Sequence, residues 1–188
     1  MRMPHIAIIS SSVRSGRNSN RVALYFNNFL RENKLATVDI LDLNKYNFPL
    51  FEERLRFQKS PSGAALDFSE KIKSADGVII VTPEYNGGYP ASIKNAIDLL
   101  TDEWFRKPVA ISTISDGNFG GMQVITSLQF SLWKIRALVV TALFPVAKVD
   151  ETFDPMGIPS DKQSADKRAS IFINELFWYI EAKKRMTD

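Results

Sequence analysis

The chain contains no cysteine. Disulfides, cysteine nucleophiles and thiolate-ligated iron–sulfur clusters are therefore excluded. Its single histidine is His5, which excludes a histidine-rich metal site and any Ser-His-Asp triad not built on His5. His5 stands at the mouth of the first predicted strand, where a hydrogen-bonded structural role is expected. Excess charge is small: 24 Lys and Arg stand against 21 Asp and Glu, a net charge of +3, and no dense Lys/Arg cluster of the kind that binds nucleic acid is present. The three consecutive basic residues in "EAKKRMTD" read as a solvated helix end, where cations suit the helix dipole. No apolar run approaches a bilayer-spanning length of about 20 residues. The stretch "MRMPHIAIISSS" lacks the apolar core of a signal peptide. A cytoplasmic protein without nucleic-acid or membrane partners is expected. Neither G-x-x-x-x-G-K-[ST] nor G-x-G-x-x-G occurs, so the phosphate-binding signatures of P-loop NTPases and of Rossmann dinucleotide folds are missing.

The 188 residues, 45% hydrophobic and 24% charged, suffice for one domain with a sizeable core. Strand and helix patterns alternate along them. "HIAIIS" is nearly continuous in apolar character, as suits a strand buried on both faces. Val22, Tyr25, Phe26, Phe29 and Leu30 then fall on one helical stripe. "TVDILDL" reads as a second strand and "SGAALDFSEKIKSA" as a helix with Ser62 at its N-cap. "GVIIVTPEYN" is the most apolar strand and ends at Thr82–Pro83. "PASIKNAIDLL" is a helix opened by Pro90, with Ile93, Ala96, Ile97 and Leu100 on one face. "PVAISTIS" is a fourth strand. A long helix is expected from the end of "DGNFGG" to about Ala137. "LVVTALFPVAKV" makes a fifth strand. In the final helix Ile173, Leu176, Phe177 and Ile180 should face inward.

This alternation calls for an α/β fold with a parallel sheet covered by helices on both faces. Five strands suggest the flavodoxin-like three-layer order 2-1-3-4-5 over a single domain, 1–188. Two loops exceed what a connection needs, "NKYNFPLFEERLRFQKSP" and "DETFDPMGIPS".

In such a sheet, ligands bind beyond the carboxyl ends of the strands. There the loops after strands one, three and four meet, and each has unusual content. "SSSVRSGRNSN" leads into a helix N-terminus, where free N–H groups and the dipole favour an anion. Its hydroxyls (Ser10, Ser12, Ser19) can donate to that anion. Arg14 and Arg17 can fork onto phosphate oxygens, and Gly16 permits a tight turn; the alternative is a plain helix N-cap region with solvated serines and arginines. "TPEYNGGYP" could line a flat heterocycle through backbone groups and Tyr85, or could be a plain turn with Asn86-Gly87 at its tip. The glycines of "STISDGNFGGMQ" could let backbone approach a ligand. By itself, ordinary turn chemistry is the better reading of that stretch.

Together the three loops resemble the NADPH-dependent FMN reductase family of flavodoxin-like proteins, which includes azoreductases, quinone reductases and chromate reductases. The family's marks are G-S-x-R near the N-terminus, T-P-E-Y-N followed by P-x-x-x-K-N-A-I-D, and a glycine-rich segment before the fourth helix. This chain has "SSVR", "TPEYNGGYPASIKNAID" and "SDGNFGGMQ", spanning about Ile6 to Phe144. "VRSGR" is similar to a branch of the family with R-x-G-R. Ser11 departs from the pattern, standing where the family has glycine.

The resemblance implies an FMN cofactor with NADPH or NADH as co-substrate. Ser10, Ser12, Arg14, Arg17, Ser19 and Asn20 would contact the FMN phosphate. Pro83, Glu84, Tyr85 and Asn86 would border the isoalloxazine, and Ser115, Asp116 and Gly117 would close its other side. It implies a ping-pong reductase, passing hydride from nicotinamide to flavin and then to a small acceptor: free flavin, a quinone, an azo compound or a metal oxyanion. The chemistry belongs to the cofactor, so no side chain is named as acid, base or nucleophile, and no metal is expected. It also implies a homodimer or homotetramer, and Leu128, Phe130, Leu132, Trp133 and Ile135 of "LQFSLWKIRALVV" fit subunit contact. One rival is a non-enzymatic flavodoxin-like electron carrier, which the small positive charge disfavours. Another is a regulatory protein with a decayed site, a reading that rests on Ser11.

Overall fold

A computed structural model describes residues 2–187. Five parallel strands form one sheet in the order β2-β1-β3-β4-β5, as the alternation predicts. They are β1 (His5–Ser10), β2 (Thr37–Asp42), β3 (Gly77–Pro83), β4 (Pro108–Ile114) and β5 (Leu138–Val146). The helices are α1 (Ser19–Glu32), α2 (Leu43–Tyr46), α3 (Gly63–Ser74), α4 (Ala91–Leu99), α5 (Val124–Lys134), α6 (Val149–Thr152) and α7 (Lys162–Thr187).

Strand position explains strand composition. Every residue of β3 and β4 is buried, whereas the edge strands β2 and β5 mix buried and partly exposed positions. Only a strand covered on both faces can be apolar throughout. Ile6, Ile8, Ile79 and Val81 point to the layer of α1 and α7; Ala7, Ile9, Val78 and Ile80 point to the layer of α3, α4 and α5. The first layer is aromatic: Tyr25, Phe26, Phe144 and Phe172 meet with ring centroids 5.0–6.1 Å apart. The α1 stripe and the inward positions of α4 are buried as the periodicity predicts. On α7, Ile173, Leu176 and Ile180 are buried and Phe177 packs against their edge.

Local chemistry sets the boundaries. Ser62 Oγ accepts the Ala65 N–H at 3.1 Å and starts α3, and Asp161 Oδ1 does the same for the Ser164 N–H at the head of α7. The helix after the glycine-rich bend is shorter than expected, ending at Lys134 rather than Ala137. Arg136 adopts φ +62° there, and its N–H closes on Trp133 O, a left-handed stop. The strand expected to run through "AKV" ends at Val146, because Lys148 turns left-handed and opens α6. The short α2 lies within a stretch expected to be strand and loop.

His5 is structural, as expected. Its ring nitrogens lie 2.8 Å from Thr37 Oγ1 and 3.1 Å from Asp39 Oδ2, tying β1 to β2. Lys107 is buried at the opposite end of the sheet from the loops described above. Its Nζ donates to Lys73 O and Ala75 O, and burial, then the charge of Lys183, pulls its pKa down to about 8. No helix among the described residues is long and apolar enough to cross a membrane.

Candidate active site

The carboxyl ends of β1, β3 and β4 border a cavity of about 100 Å³ lined by Ser12, Arg14, Arg17, Asn18, Pro83, Glu84, Tyr85, Ile114, Ser115 and Asp116. Eight of the thirteen residues singled out from the sequence are among these. Ser10 and Ser19 are buried behind it, their hydroxyls 3.2 Å apart. Asn20, Asn86 and Gly117 do not line it.

The loop after β1 is held from within. Ser11 N–H donates to Val81 O at 3.1 Å, extending the β1–β3 pairing by one residue. Ser12 N–H donates to Ser19 Oγ at 3.3 Å, and Ser12 O accepts from Arg17 Nη1 at 3.1 Å. Gly16 turns the chain at φ +68°, a conformation glycine adopts without cost.

Arg17 is placed differently from the sequence reading. Its fork lies on the carboxylate of Asp42, the last residue of β2, with Nη2 to Oδ2 at 2.6 Å and Nη1 bonded to Oδ1. The side chains are 17% and 5% exposed. The hydrogen bond to Asp42 holds the Arg17 pKa above its ordinary value against the effect of burial. Three bonds are thus spent inside the protein, and a guanidinium carries five N–H groups, so Arg17 can still offer donors outward. Arg14 is exposed, and its guanidinium lies 5.9 Å from the Tyr85 ring centroid.

The α1 N-terminus is not capped by a side chain. Asn18 occupies the N-cap position but makes no capping bond; its amide donates across the cavity mouth to Asp116 Oδ1 at 3.1 Å. No acidic residue lies in the first turn. The first turn of α1 therefore has no side-chain acceptor, and among the described residues only the Arg21 N–H is taken up, by Asn18 O at 3.1 Å; a helix N-terminus left in this way suits an anion.

The other two loops are closed by local bonds and close backbone approaches. Asn86 (φ +52°) and Gly87 (φ +80°) form a tight turn closed by paired bonds between Tyr85 and Gly88, a type I′ pattern. The turn reading of Asn86 thus describes its geometry. Glu84 Oε2 accepts the Gln123 N–H at 3.2 Å, engaging this carboxylate at the start of α5. In the third loop the glycines approach the protein's own backbone. A Cβ on Gly121 would stand 2.7 Å from Ile114 O, and φ there is +71°.

Sequence reasoning missed Asp42, Asn18 and Ile114. Asp42 had one signal, a carboxylate at the end of a strand beside a two-arginine loop. Asn18 and Ile114 had none beyond adjacency to marked residues.

The profile of the NADPH-dependent FMN reductase family matches residues 4–151. The chain belongs to this family. It is an oxidoreductase with FMN as cofactor and NAD(P)H as co-substrate. It is 34% identical over 165 residues to the NAD(P)H-dependent FMN reductase ntnL of a Nectria species, covering 80% of each chain. It is 31% identical over 133 residues to a quinone reductase of Pseudomonas putida, covering 68% of each. The solved structure of FerB, a flavoenzyme NAD(P)H:(acceptor) oxidoreductase of Paracoccus denitrificans, superposes with a TM-score of 0.76 over 95% of this chain and 98% of that one, at 22% identity. That likeness concerns the fold.

The residues of this family member fit the cofactor. An uncapped helix N-terminus, a cavity-lining serine and two arginines suit a phosphoryl group. Ser11 does not spoil the fit. Its φ is not positive, and its side chain is fully buried away from the cavity.

Proposed function

We propose that this oxidoreductase works in two half-reactions. Reduced nicotinamide is oxidised in one; a small acceptor (a quinone, free flavin, an azo compound or a metal oxyanion) is reduced in the other. The observation that carries this reading is the uncapped α1 N-terminus opening beside Ser12 and Arg14, at the carboxyl ends of three adjacent strands. FMN, when bound there, supplies the hydride chemistry. The chain's own groups bind and orient it. First-turn N–H groups of α1, Ser12 and Arg14 hold the phosphate, with Arg17 stiffening the loop and offering its remaining donors. Ser10, at the end of β1, and Ser19, at the start of α1, brace that loop through their paired hydroxyls, and Asn20 stands beside Ser19 in the first turn of α1. Pro83, Glu84 and Tyr85 border the ring on one side and Ser115, Asp116 and Gly117 on the other, with the Asn86 turn setting the first border. Backbone N–H groups along these borders stabilise negative charge on the ring. No side chain acts as general acid or base: Glu84 and Asp116 are engaged by Gln123 and Asn18.

The working unit in this reading is a homodimer or a pair of dimers. Leu128 and Leu132 of α5 are spent in the core, but Phe130 and Trp133 are 62% and 64% exposed, their rings 5.7 Å apart. Exposed aromatics grouped on one helix suit a subunit contact. A Phe130→Ser/Trp133→Ser double variant should elute as a monomer in light-scattering chromatography; an unchanged mass would exclude this face.

The test of the reaction is anaerobic stopped-flow mixing of FMN-loaded protein with NADPH, and separately with NADH. Rapid flavin bleaching before any acceptor is added supports two half-reactions. Bound flavin that fails to bleach would make the protein a carrier instead.

A further inference from the structure

Ser12 and Tyr85 come from different loops, and their hydroxyl oxygens lie 2.6 Å apart. Ser12 Oγ also accepts the Arg14 N–H at 3.3 Å. A hydroxyl has two lone pairs and one proton. A phenol is more acidic than an alkanol and is the stronger donor, so Tyr85 O–H donates to Ser12 Oγ. The Arg14 N–H then occupies the second lone pair. What remains to Ser12 is its own proton, on a buried residue that lines the cavity. Its backbone is pinned on both sides, N–H to Ser19 Oγ and carbonyl to Arg17.

We propose that Tyr85 is a positioning residue for the anionic end of the cofactor, acting through Ser12. By donating to Ser12 Oγ it leaves that hydroxyl able only to donate outward, which matches a phosphate oxygen and mismatches a ligand hydroxyl that needs an acceptor. The loop that borders the flavin ring thereby sets the preference for FMN over unphosphorylated riboflavin. This rests on the reading that the phosphate lies at the α1 N-terminus.

The experiment is equilibrium titration of apoprotein with FMN and with riboflavin, for the native chain, Tyr85→Phe, Ser12→Ala and the double variant. Tyr85→Phe keeps the ring and removes one donor. It should weaken FMN about tenfold, as loss of a hydrogen bond in a charged network does, while riboflavin stays within about twofold. In the Ser12→Ala background the same change should cost FMN nothing further, as two groups acting as a unit are non-additive. Equal weakening of both flavins by Tyr85→Phe would overturn the proposal and make Tyr85 a ring contact only. Full additivity with Ser12→Ala would also overturn it. A native chain that binds FMN and riboflavin equally well would instead sink the phosphate placement itself, and this inference with it. The FMN-to-riboflavin ratio is internal to each variant, so general loss of stability does not mimic the expected result.

Discussion

The loop after β1 and the loop after β2 begin side by side, with Ser10 and Asp42 in register, yet they are finished in opposite ways. In the first, Ser10, Ser12 and Ser19 are buried and bonded to one another or to neighbouring backbone. Arg17 is partly buried against Asp42. Little is left for a ligand to organise, so binding there costs little ordering. The second, residues 47–62, is anchored at its start. Tyr46 and Phe48 stack at 5.3 Å and both meet Phe68 edge-on, and Asn95 Nδ2 donates to Pro49 O at 2.6 Å. Beyond that anchor Leu50 and Phe57 are 82% and 59% exposed, and Leu50 lines a cavity of about 410 Å³ against α3 and α4. Apolar side chains left in water on a long loop suit a surface that something else covers. The first loop is bonded within itself; the second leaves apolar side chains uncovered.

The sharpest way to break this contrast is Asp42→Ala, which leaves the partly buried Arg17 without its carboxylate partner. Losing the charge-assisted bonds of this partly buried pair costs about 2 kcal/mol, and the loop should bind FMN about tenfold more weakly at the same time. Urea unfolding and a flavin titration check both; a loss below about 1 kcal/mol would mean the pair is not a clamp.

Next in size is Ser11→Ala. Ser11 Oγ is the one buried side-chain oxygen without a partner among the described residues. Removing it should raise stability by about 1 kcal/mol and leave FMN affinity unchanged, since the atom does not line the cavity. A fall in stability would show that the hydroxyl has a partner in solution.

The second loop's anchor should be pH-sensitive. Burial, then the bond from Tyr46 Oη to Asp67 at 2.6 Å, raises the Tyr46 pKa well above its ordinary value. A folded pKa above the unfolded one gives stability that is complete below about pH 10 and is lost above it. Tyr25, raised by burial and Asp166, adds to that loss. Lys107 acts oppositely: its depressed pKa makes stability rise from about pH 8 to the unfolded lysine value. The stability difference between the native chain and Tyr46→Phe isolates the anchor. It should shrink as pH rises past about 10, while flavin binding at the first loop is unaffected by the substitution at neutral pH. A difference that is flat with pH would exclude Tyr46 as a titrating anchor.

The smallest effect on stability is expected from Leu50→Ser/Phe57→Ser, within about 0.5 kcal/mol, because exposed side chains contribute little. The KM for a quinone acceptor should nevertheless rise. An unchanged KM would make this loop a surface excursion with no role at the site.

Much of the architecture was legible in the residues. Apolar runs marked β1, β3 and β4 because a strand covered on both faces has no polar side. The α1 stripe at Val22, Tyr25, Phe26, Phe29 and Leu30 and the Ser62 cap were equally plain, since both are local. The end of α5 was not legible. Ile135 continues an apolar pattern, and only the left-handed turn at Arg136 stops the helix. The exposed and buried halves of "LQFSLWKIRALVV" were likewise inseparable until Leu128 and Leu132 were seen in the core.

By itself, then, the sequence determined the order of strands and helices, the position of three loops at one end of the sheet, and the family to which those loops belong. These depend on periodicity and short-range chemistry, which neighbouring residues carry. Only the tertiary structure decided that Arg17 spends its fork on Asp42, that Asn18 reaches Asp116, that the Ser12 and Tyr85 hydroxyls are hydrogen-bonded, and that Ser11 turns away from the cavity. Each of those partnerships joins residues far apart in the chain or depends on which side of a strand end faces the core. A hydrogen bond between distant residues has no period to read; it exists only once the sheet has brought its ends together.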